Sequence, residues 1–190
     1  MEEITVGYAL TGSFCTLDKS VACMRELKEK GLRVIPIVSQ AVAETDTRFG
    51  LAQTWLNTIE DICGENIIFT IAQAEPIGPK KLLDLLVVSP CTGNTLGKLA
   101  AGIYDTSVTM AVKAHLRNRR PVLIGVSTND ALTGSAKSIG ALMNSKNYYF
   151  IPMRQDDPYK KPFSVVADFT KTYDAVMSAL QGEQIQPMLS

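Results

Sequence analysis

The sequence predicts a single three-layer α/β domain built on a doubly wound parallel sheet. Three observations carry that expectation. Strand-like and helix-like segments alternate almost without a break from residue 4 to residue 180. One strand-like run, Leu85-Leu86-Val87-Val88, is apolar at every position, as a strand covered on both faces must be. The chain has 190 residues, 46% hydrophobic and 20% charged, which suffices for one full core and is short for two domains.

The elements follow in order. Residues 4–10 read as the first buried strand, followed by the turn Thr11-Gly12-Ser13-Phe14. Thr16 is placed to cap a helix that carries Val21, Met24 and Leu27 and closes at Gly31, the C′ position that glycine favours. Residues 33–38, rich in β-branched side chains, form the second strand. A polar stretch over 43–48 leads to a helix over 50–63, which Gly64 closes. Residues 67–71 predict a third strand and 85–88 a fourth. Helical stretches over 95–101 and 107–118 lead to a fifth strand at 121–126. A helix over 135–144 precedes a sixth strand at 149–152. The segment 154–162, rich in Lys, Asp and Pro, reads as a solvated loop, with a lid or interface arm as the alternative. The last helix is expected over 165–180. There is no repeat and no linker, and right-handed crossovers place helices on both faces of the sheet. The result is one flavodoxin-like domain occupying residues 1–190.

Composition excludes several classes of function. With 19 basic and 19 acidic residues the chain has no general pull toward nucleic acid or anionic lipid. Its apolar runs are too short to cross a bilayer, and Met1-Glu2-Glu3 leads straight into a strand, so a cytoplasmic chain is expected. Cys15, Cys23, Cys63 and Cys91 form no CxxC pair, and His115 is the sole histidine, so no metal site is expected. His115 falls mid-helix, where it packs or meets solvent.

In a doubly wound sheet, ligands lie beyond the carboxyl ends of the strands, near the point where the strand order reverses. Four such junctions are rich in small polar residues. The first, Thr11-Gly12-Ser13-Phe14-Cys15-Thr16, offers hydroxyls and backbone N–H groups to an anion at a helix N-terminus, or serves simply as a turn and cap. The second is Ser39. The third, Ser89-Pro90-Cys91-Thr92-Gly93-Asn94-Thr95, follows the buried fourth strand and carries more hydrogen-bonding side chains than a cap requires. The fourth is Ser127-Thr128-Asn129-Asp130-Ala131-Leu132-Thr133. Neither GxGxxG nor GxxxxGK[ST] occurs, so dinucleotide and P-loop fingerprints are absent. From these junctions alone, phosphate binding and a plain turn with a helix cap both stay open.

The third junction and its continuation, through Lys98, Ala100, Gly102 and Asp105, resemble the signature of the homo-oligomeric flavin-containing cysteine decarboxylase (HFCD) family, whose usual wording is PASANT followed by a KIAxGxxD-like helix. Pro90, Asn94 and Thr95 match, while Cys91, Thr92 and Gly93 replace Ala, Ser and Ala. The resemblance implies FMN, with contacts at Gly12, Ser13, Ser39, Ser89 and Thr92. Phe14, Pro90, Asn94 and Thr95 complete the expected cofactor-binding set. It also implies a trimer or dodecamer. Two departures argue against cysteine decarboxylation: the PxMNxxM-type substrate motif is lost at the fourth junction, and Glu75-Pro76-Ile77-Gly78-Pro79-Lys80-Lys81 lacks the histidine that the decarboxylases carry before the fourth strand.

The wording of nearly the whole chain resembles one branch of that family, found in spore-forming bacteria, whose members serve as the second component of a two-subunit oxidoreductase. That resemblance implies partnership with an A subunit and a cytoplasmic place in the mother cell. It also implies aromatisation of a dihydropyridine dicarboxylate with electrons passed to NADP or a flavin. Lys98, Asn94, Asn129, Arg154 and Lys160 are candidates to meet the substrate carboxylates, with Arg154 best shaped for a bidentate grip. No residue stands out as a base; Asn94 and Asp130 are the candidates for a catalytic role. The alternative is a non-catalytic flavin- or phosphate-binding module that completes the partner. Flavin-dependent decarboxylation, or formation of a prenylated flavin, is the third reading.

Overall fold

The computed structural model describes residues 3–190. In chain order the elements are β1 (Thr5–Leu10), α1 (Leu17–Glu29), β2 (Arg33–Val38), α2 (Gln40–Glu44), α3 (Ala52–Cys63), α4 (Ile71–Ala74), β3 (Leu85–Cys91), α5 (Gly93–Ala100), α6 (Ser107–Leu116), β4 (Val122–Thr128), α7 (Ala136–Met143), β5 (Tyr148–Phe150), β6 (Met153–Asp157), β7 (Lys161–Ala167) and α8 (Thr172–Leu180). Short 3₁₀ turns lie at Phe14–Thr16, Glu75–Ile77 and Phe169–Lys171.

The sheet runs β2-β1-β3-β4, and this part is parallel. The chain leaves β1 for β2 on one side and returns to β3 on the other, so the switch point lies between β1 and β3. β3, apolar at every position from Leu85 to Val88, occupies the centre. Its Leu85 and Val87 enter one core, with Tyr8, Leu17, Leu27 and Ile59, while Leu86 and Val88 enter the other, with Ile77, Leu96, Val112 and Ile124. Burying each such side chain contributes about 1.5–3 kcal/mol, which is why this strand tolerates no polar alternation. Near its end, pairing with β4 shifts by one residue between Val88 and Cys91. Pro90, with no N–H to offer a ladder, sits within that irregularity.

Two expectations of strand structure are corrected. Residues 67–71 do not form a strand: Ile68 makes a single bridge to Ile37, and a capping box at Thr70 and Gln73 then starts α4. The greater correction concerns the C-terminal third. The segment expected as a loop and the start of the last helix is an antiparallel hairpin, β6 and β7. β4 runs two residues past its expected end, and Ser127 and Thr128 pair antiparallel with Val166 and Val165. The first half of β4 pairs instead with the short parallel β5. The seven-stranded sheet is therefore mixed. Val165, Val166 and Ala167 are buried as strand residues, and Asp168, whose carboxylate accepts the Thr170 N–H at 3.2 Å, begins the turn into α8.

Among the described residues no helix is long and apolar enough to cross a membrane, and no group of His, Cys, Asp and Glu could hold a metal ion. Cys23, Cys63 and Cys91 are buried and free, whereas Cys15 is exposed. His115 is fully buried on α6, with Nε2 3.0 Å from the Pro121 carbonyl oxygen. The carbonyl can only accept, so Nε2 carries the proton. Burial pushes the imidazole pKa down to about 4. The unfolded chain therefore binds a proton that the folded chain refuses. Stability from this residue is present above the ordinary pKa of about 6.5 and is lost as pH falls toward about 4, by up to about 3 kcal/mol. Urea midpoints measured across that interval should fall more steeply for the native chain than for His115→Gln, which keeps an N–H for Pro121 and does not titrate.

Candidate functional site

Thr11, buried at the end of β1, ties the two sides of the switch point together. Its Oγ1 donates to the Pro90 carbonyl at 2.6 Å and accepts the Thr92 N–H at 3.1 Å. The first and third junctions are thus fixed against each other. Beyond Thr11 the chain turns through Ser13 into the 3₁₀ turn that begins α1. Ser13 Oγ lies 2.8 Å from Ser127 Oγ, and Thr16 Oγ1 lies 3.1 Å from Ser13 Oγ and 3.0 Å from Ser127 Oγ. Three hydroxyls from two strand ends meet in a triangle, and α1 begins beside them. Thr16 Oγ1 also has the Ser13 carbonyl as an acceptor at 3.1 Å; each hydroxyl has one proton, so a proton turned outward to a ligand is taken from one of these contacts. Neutral hydroxyls at a helix N-terminus suit an anion such as phosphate.

A second cluster lies beneath α5. Thr128 Oγ1 donates to Asp130 Oδ1 at 2.6 Å, and Ser135 Oγ donates to the same oxygen at 2.8 Å. The Thr128 hydrogen bond, aided by Ser135, holds the Asp130 carboxyl below the usual carboxylate range. Asp130 is therefore ionised near neutral pH and a weak base. A Cβ at Gly93 would stand 2.6 Å from Ser135 Oγ, 2.8 Å from Asp130 Oδ1 and 2.9 Å from Thr128 Oγ1. Glycine at the first position of α5 lets that helix settle on the carboxylate, which in turn complements the helix dipole. Thr92 caps α5 by accepting the Thr95 N–H at 3.3 Å.

Together these junctions floor an open cleft of about 740 Å³, within the range of small-molecule and cofactor sites. Hydroxyls and amides come from Ser13, Thr16, Thr92, Asn94, Ser127, Thr128 and Asn129. Phe14, Phe49, Val165 and Val166 supply apolar wall. Arg48, Asp130, Asp156 and Lys161 supply charge. The β6–β7 hairpin contributes Asp156, Lys161 and Ser164 through Val166, so the segment read as loop forms one side of the cleft.

Of the expected cofactor residues, Gly12, Ser13, Phe14, Thr92 and Asn94 line this cleft, as do Asn129 and Asp130. The others do not. Ser39 caps α2, its Oγ accepting the Val42 N–H at 3.4 Å. Ser89 and Pro90 are fully buried below the floor, where Pro90 serves Thr11 through its carbonyl. Thr95 is buried behind its cap, Lys98 is paired with Asp105 at 2.7 Å, and Arg154 is exposed on β6 and is not among the residues that line the cleft. Arg48, Phe49 and Lys161 were missed. Their polar and Pro-rich surroundings gave no periodic signal, and only the topology brings them to the strand ends.

A sequence model of the Flavoprotein family matches residues 1–155. The chain belongs to the Flavoprotein family. It is 45% identical to the B subunit of dipicolinate synthase from Bacillus subtilis over 184 residues, 97% of this chain and 92% of that protein. The crystal structure of the corresponding dipicolinate synthase chain from Bacillus halodurans superposes with a TM-score of 0.91 at 44% identity, covering 100% of this chain and 98% of that one. The FMN-dependent cysteine decarboxylase SpaF shares the fold, with a TM-score of 0.71 at 19% identity over 94% of this chain and 96% of that one. The flavodoxin-like α/β class expected from the sequence is the fold observed.

Gly93 gives a direct check on the geometry of this family's cleft here. Gly93→Ala should cost about 1–3 kcal/mol, because three oxygen atoms must move to admit one methyl group. Gly140→Ala on α7, where no atom stands within 4 Å of the new Cβ, should instead stabilise the chain by about 0.5–1 kcal/mol. Urea denaturation of the two variants beside the native chain reads both signs.

Proposed function

We propose that the chain is the B subunit of a dipicolinate synthase, that it binds FMN in the strand-end cleft, and that it acts with an A subunit to oxidise dihydrodipicolinate to dipicolinate. Full-length similarity to the two Bacillus proteins supports the reaction and the partner. The Ser13–Thr16–Ser127 hydroxyl triangle carries the cofactor reading. The residues present fit a flavin. The triangle and the N-termini of α1 and α5 suit its phosphate, and Phe14, Phe49, Val165 and Val166 offer flat apolar wall for the ring system. Gly12, Ser13, Phe14, Thr92 and Asn94 remain the cofactor contacts we propose. Thr16 and Ser127 replace Ser39, Ser89, Pro90 and Thr95 in that set.

Aromatising a dihydropyridine removes a hydride and a proton, and a bound flavin supplies the two-electron acceptor. This chain's own contribution is to place the flat ring against the apolar wall of the cleft. Asn94 and Asn129 offer neutral donors for the substrate's polar groups. Asp130 orients α5 and, held ionised, is not the proton acceptor. The absence of a strong base among the cleft-lining residues favours a second reading, in which the chain holds flavin or phosphate and the partner owns the NADP-linked chemistry. Decarboxylation is disfavoured by the junction after β4. We place the protein in the cytoplasm of the mother cell, as a trimer or dodecamer.

The test is a titration of the purified chain with FMN, following flavin fluorescence. The proposal requires saturable binding of one flavin per chain, weakened roughly tenfold by Ser13→Ala or Ser127→Ala through loss of one hydrogen bond to the phosphate. A chain that never saturates with FMN would sink the flavin reading and leave the partner-subunit reading in place.

A further inference from the structure

We propose that Arg48 and Lys161 are the substrate-specificity residues of the cleft, each gripping one carboxylate of the dicarboxylate, and that Asp156 holds Lys161 until a substrate carboxylate displaces it. This rests on the reaction proposed above. It goes beyond it by assigning the substrate's charges to two residues that the sequence pattern did not single out.

Four charged side chains line the cleft: Arg48, Lys161, Asp130 and Asp156. Asp130 is satisfied by Thr128 and Ser135 and lies against α5. Asp156 faces Lys161, Oδ2 to Nζ, at 2.6 Å. Arg48 has no carboxylate partner among the described residues, and its guanidinium lies 4.9 Å from the centre of the Phe49 ring. A guanidinium laid on an aromatic face keeps its edge N–H groups free and its plane fixed, the state in which it takes a carboxylate by two parallel hydrogen bonds.

The two cations also come from opposite sides of the switch point. Arg48 lies in the segment between α2 and α3, which follows β2, whereas Lys161 opens β7, toward the other end of the strand order. A planar ring carrying two carboxylates, one on each side of its nitrogen, sends its charges along diverging bonds toward two separate points of a cleft. The phosphate of a flavin does not need the two cations, because the hydroxyl triangle and the α1 N-terminus already provide neutral donors on the floor.

The Lys161–Asp156 pair is suited to exchange. Both side chains are partly exposed, 54% and 37%, so solvent screens the pair and little holds it closed. Lys161 keeps its proton throughout, since the Asp156 carboxylate raises its pKa. Exchange therefore moves no proton; a ligand carboxylate takes the place of Asp156, which turns to water. Lys161 also lies beyond residue 155, where the match to the Flavoprotein family ends, while similarity to the Bacillus subtilis protein extends over 97% of the chain.

The test uses the full chain loaded with FMN and pyridine-2,6-dicarboxylate as the probe, with pyridine-2-carboxylate as the single-charge control. Calorimetry gives affinity. Alkylation of Cys15, the exposed cysteine at the cleft wall, gives occupancy without reference to activity. The dicarboxylate should bind saturably and protect Cys15, at least tenfold more tightly than the monocarboxylate. Arg48→Gln and Lys161→Gln should each weaken it tenfold or more while changing FMN affinity less than threefold. Asp156→Asn, which releases Lys161, should tighten it severalfold, a gain that a merely structural role for the pair would not produce. Circular dichroism on each variant checks the fold. Loss of FMN binding in the Gln variants with dicarboxylate affinity unchanged would overturn the proposal by assigning the cations to the phosphate, and the flavin reading would stand. Dicarboxylate binding indifferent to all three substitutions, or absent from the FMN-loaded chain, would also overturn it. Dicarboxylate binding that responds as expected in a chain that takes no FMN would uphold the clamp and remove the flavin.

Discussion

The bond from Thr11 to the Pro90 carbonyl and back from the Thr92 N–H is the constraint on which the site depends. β1 and β3 are neighbours whose chains depart in opposite directions, and their ends would splay unless something joined them. A buried threonine does so with one hydroxyl that donates and accepts at once. Given that junction, α1 and α5 leave adjacent strand ends for opposite faces of the sheet, and polar residues that follow the strands line one cleft. Ser13 then meets Ser127 across the end of β3, and Gly93 settles on Asp130. None of these contacts is strong alone; each net hydrogen bond contributes about 1 kcal/mol. Their common anchor makes them a site.

Beneath the anchor lies a sheet whose middle is dry on both faces. β3 divides its side chains between two cores, and the packing leaves the strand ends as the place where polar groups can gather without penalty. In the function we propose, two kinds of anion recognition are separated there. The floor uses neutral hydroxyls and helix ends, which bind without bringing fixed positive charge to the centre. The rim uses a stacked guanidinium and an ammonium already held by a carboxylate. Asp130, which by type looks like a base, instead fixes the geometry of α5 because two hydroxyls stabilise its charge.

The sequence was informative where local chemistry and burial agree. The uniformly apolar Leu85 to Val88 run announced the central strand, Gly64 closed α3 in the left-handed conformation at φ 65°, and the polar junction after β3 carried the family resemblance. It was misleading where tertiary pairing overrides local pattern. Val165 and Val166 read as the start of the last helix, yet they belong to β7 because Ser127 and Thr128 extend β4 to meet them. Ser39 and Ser89 occupy the right junctions but turn to other tasks, one capping α2 and one buried. Which of two neighbouring serines faces a cleft depends on half a turn of backbone, and no spacing rule reports that. Arg48 and Lys161 were invisible for a related reason: they are far apart in the sequence and share a cleft only once the sheet is built.

A crystal structure of the chain grown with FMN tests the central claim most directly, because it locates the phosphate and the ring independently of turnover and of any partner. The account predicts phosphate density over the Ser13, Thr16 and Ser127 hydroxyls, with the flavin ring inside the cleft between Phe14 and the β6–β7 hairpin. Flavin bound anywhere else, or crystals in which the cleft takes up none at saturating FMN, would contradict it.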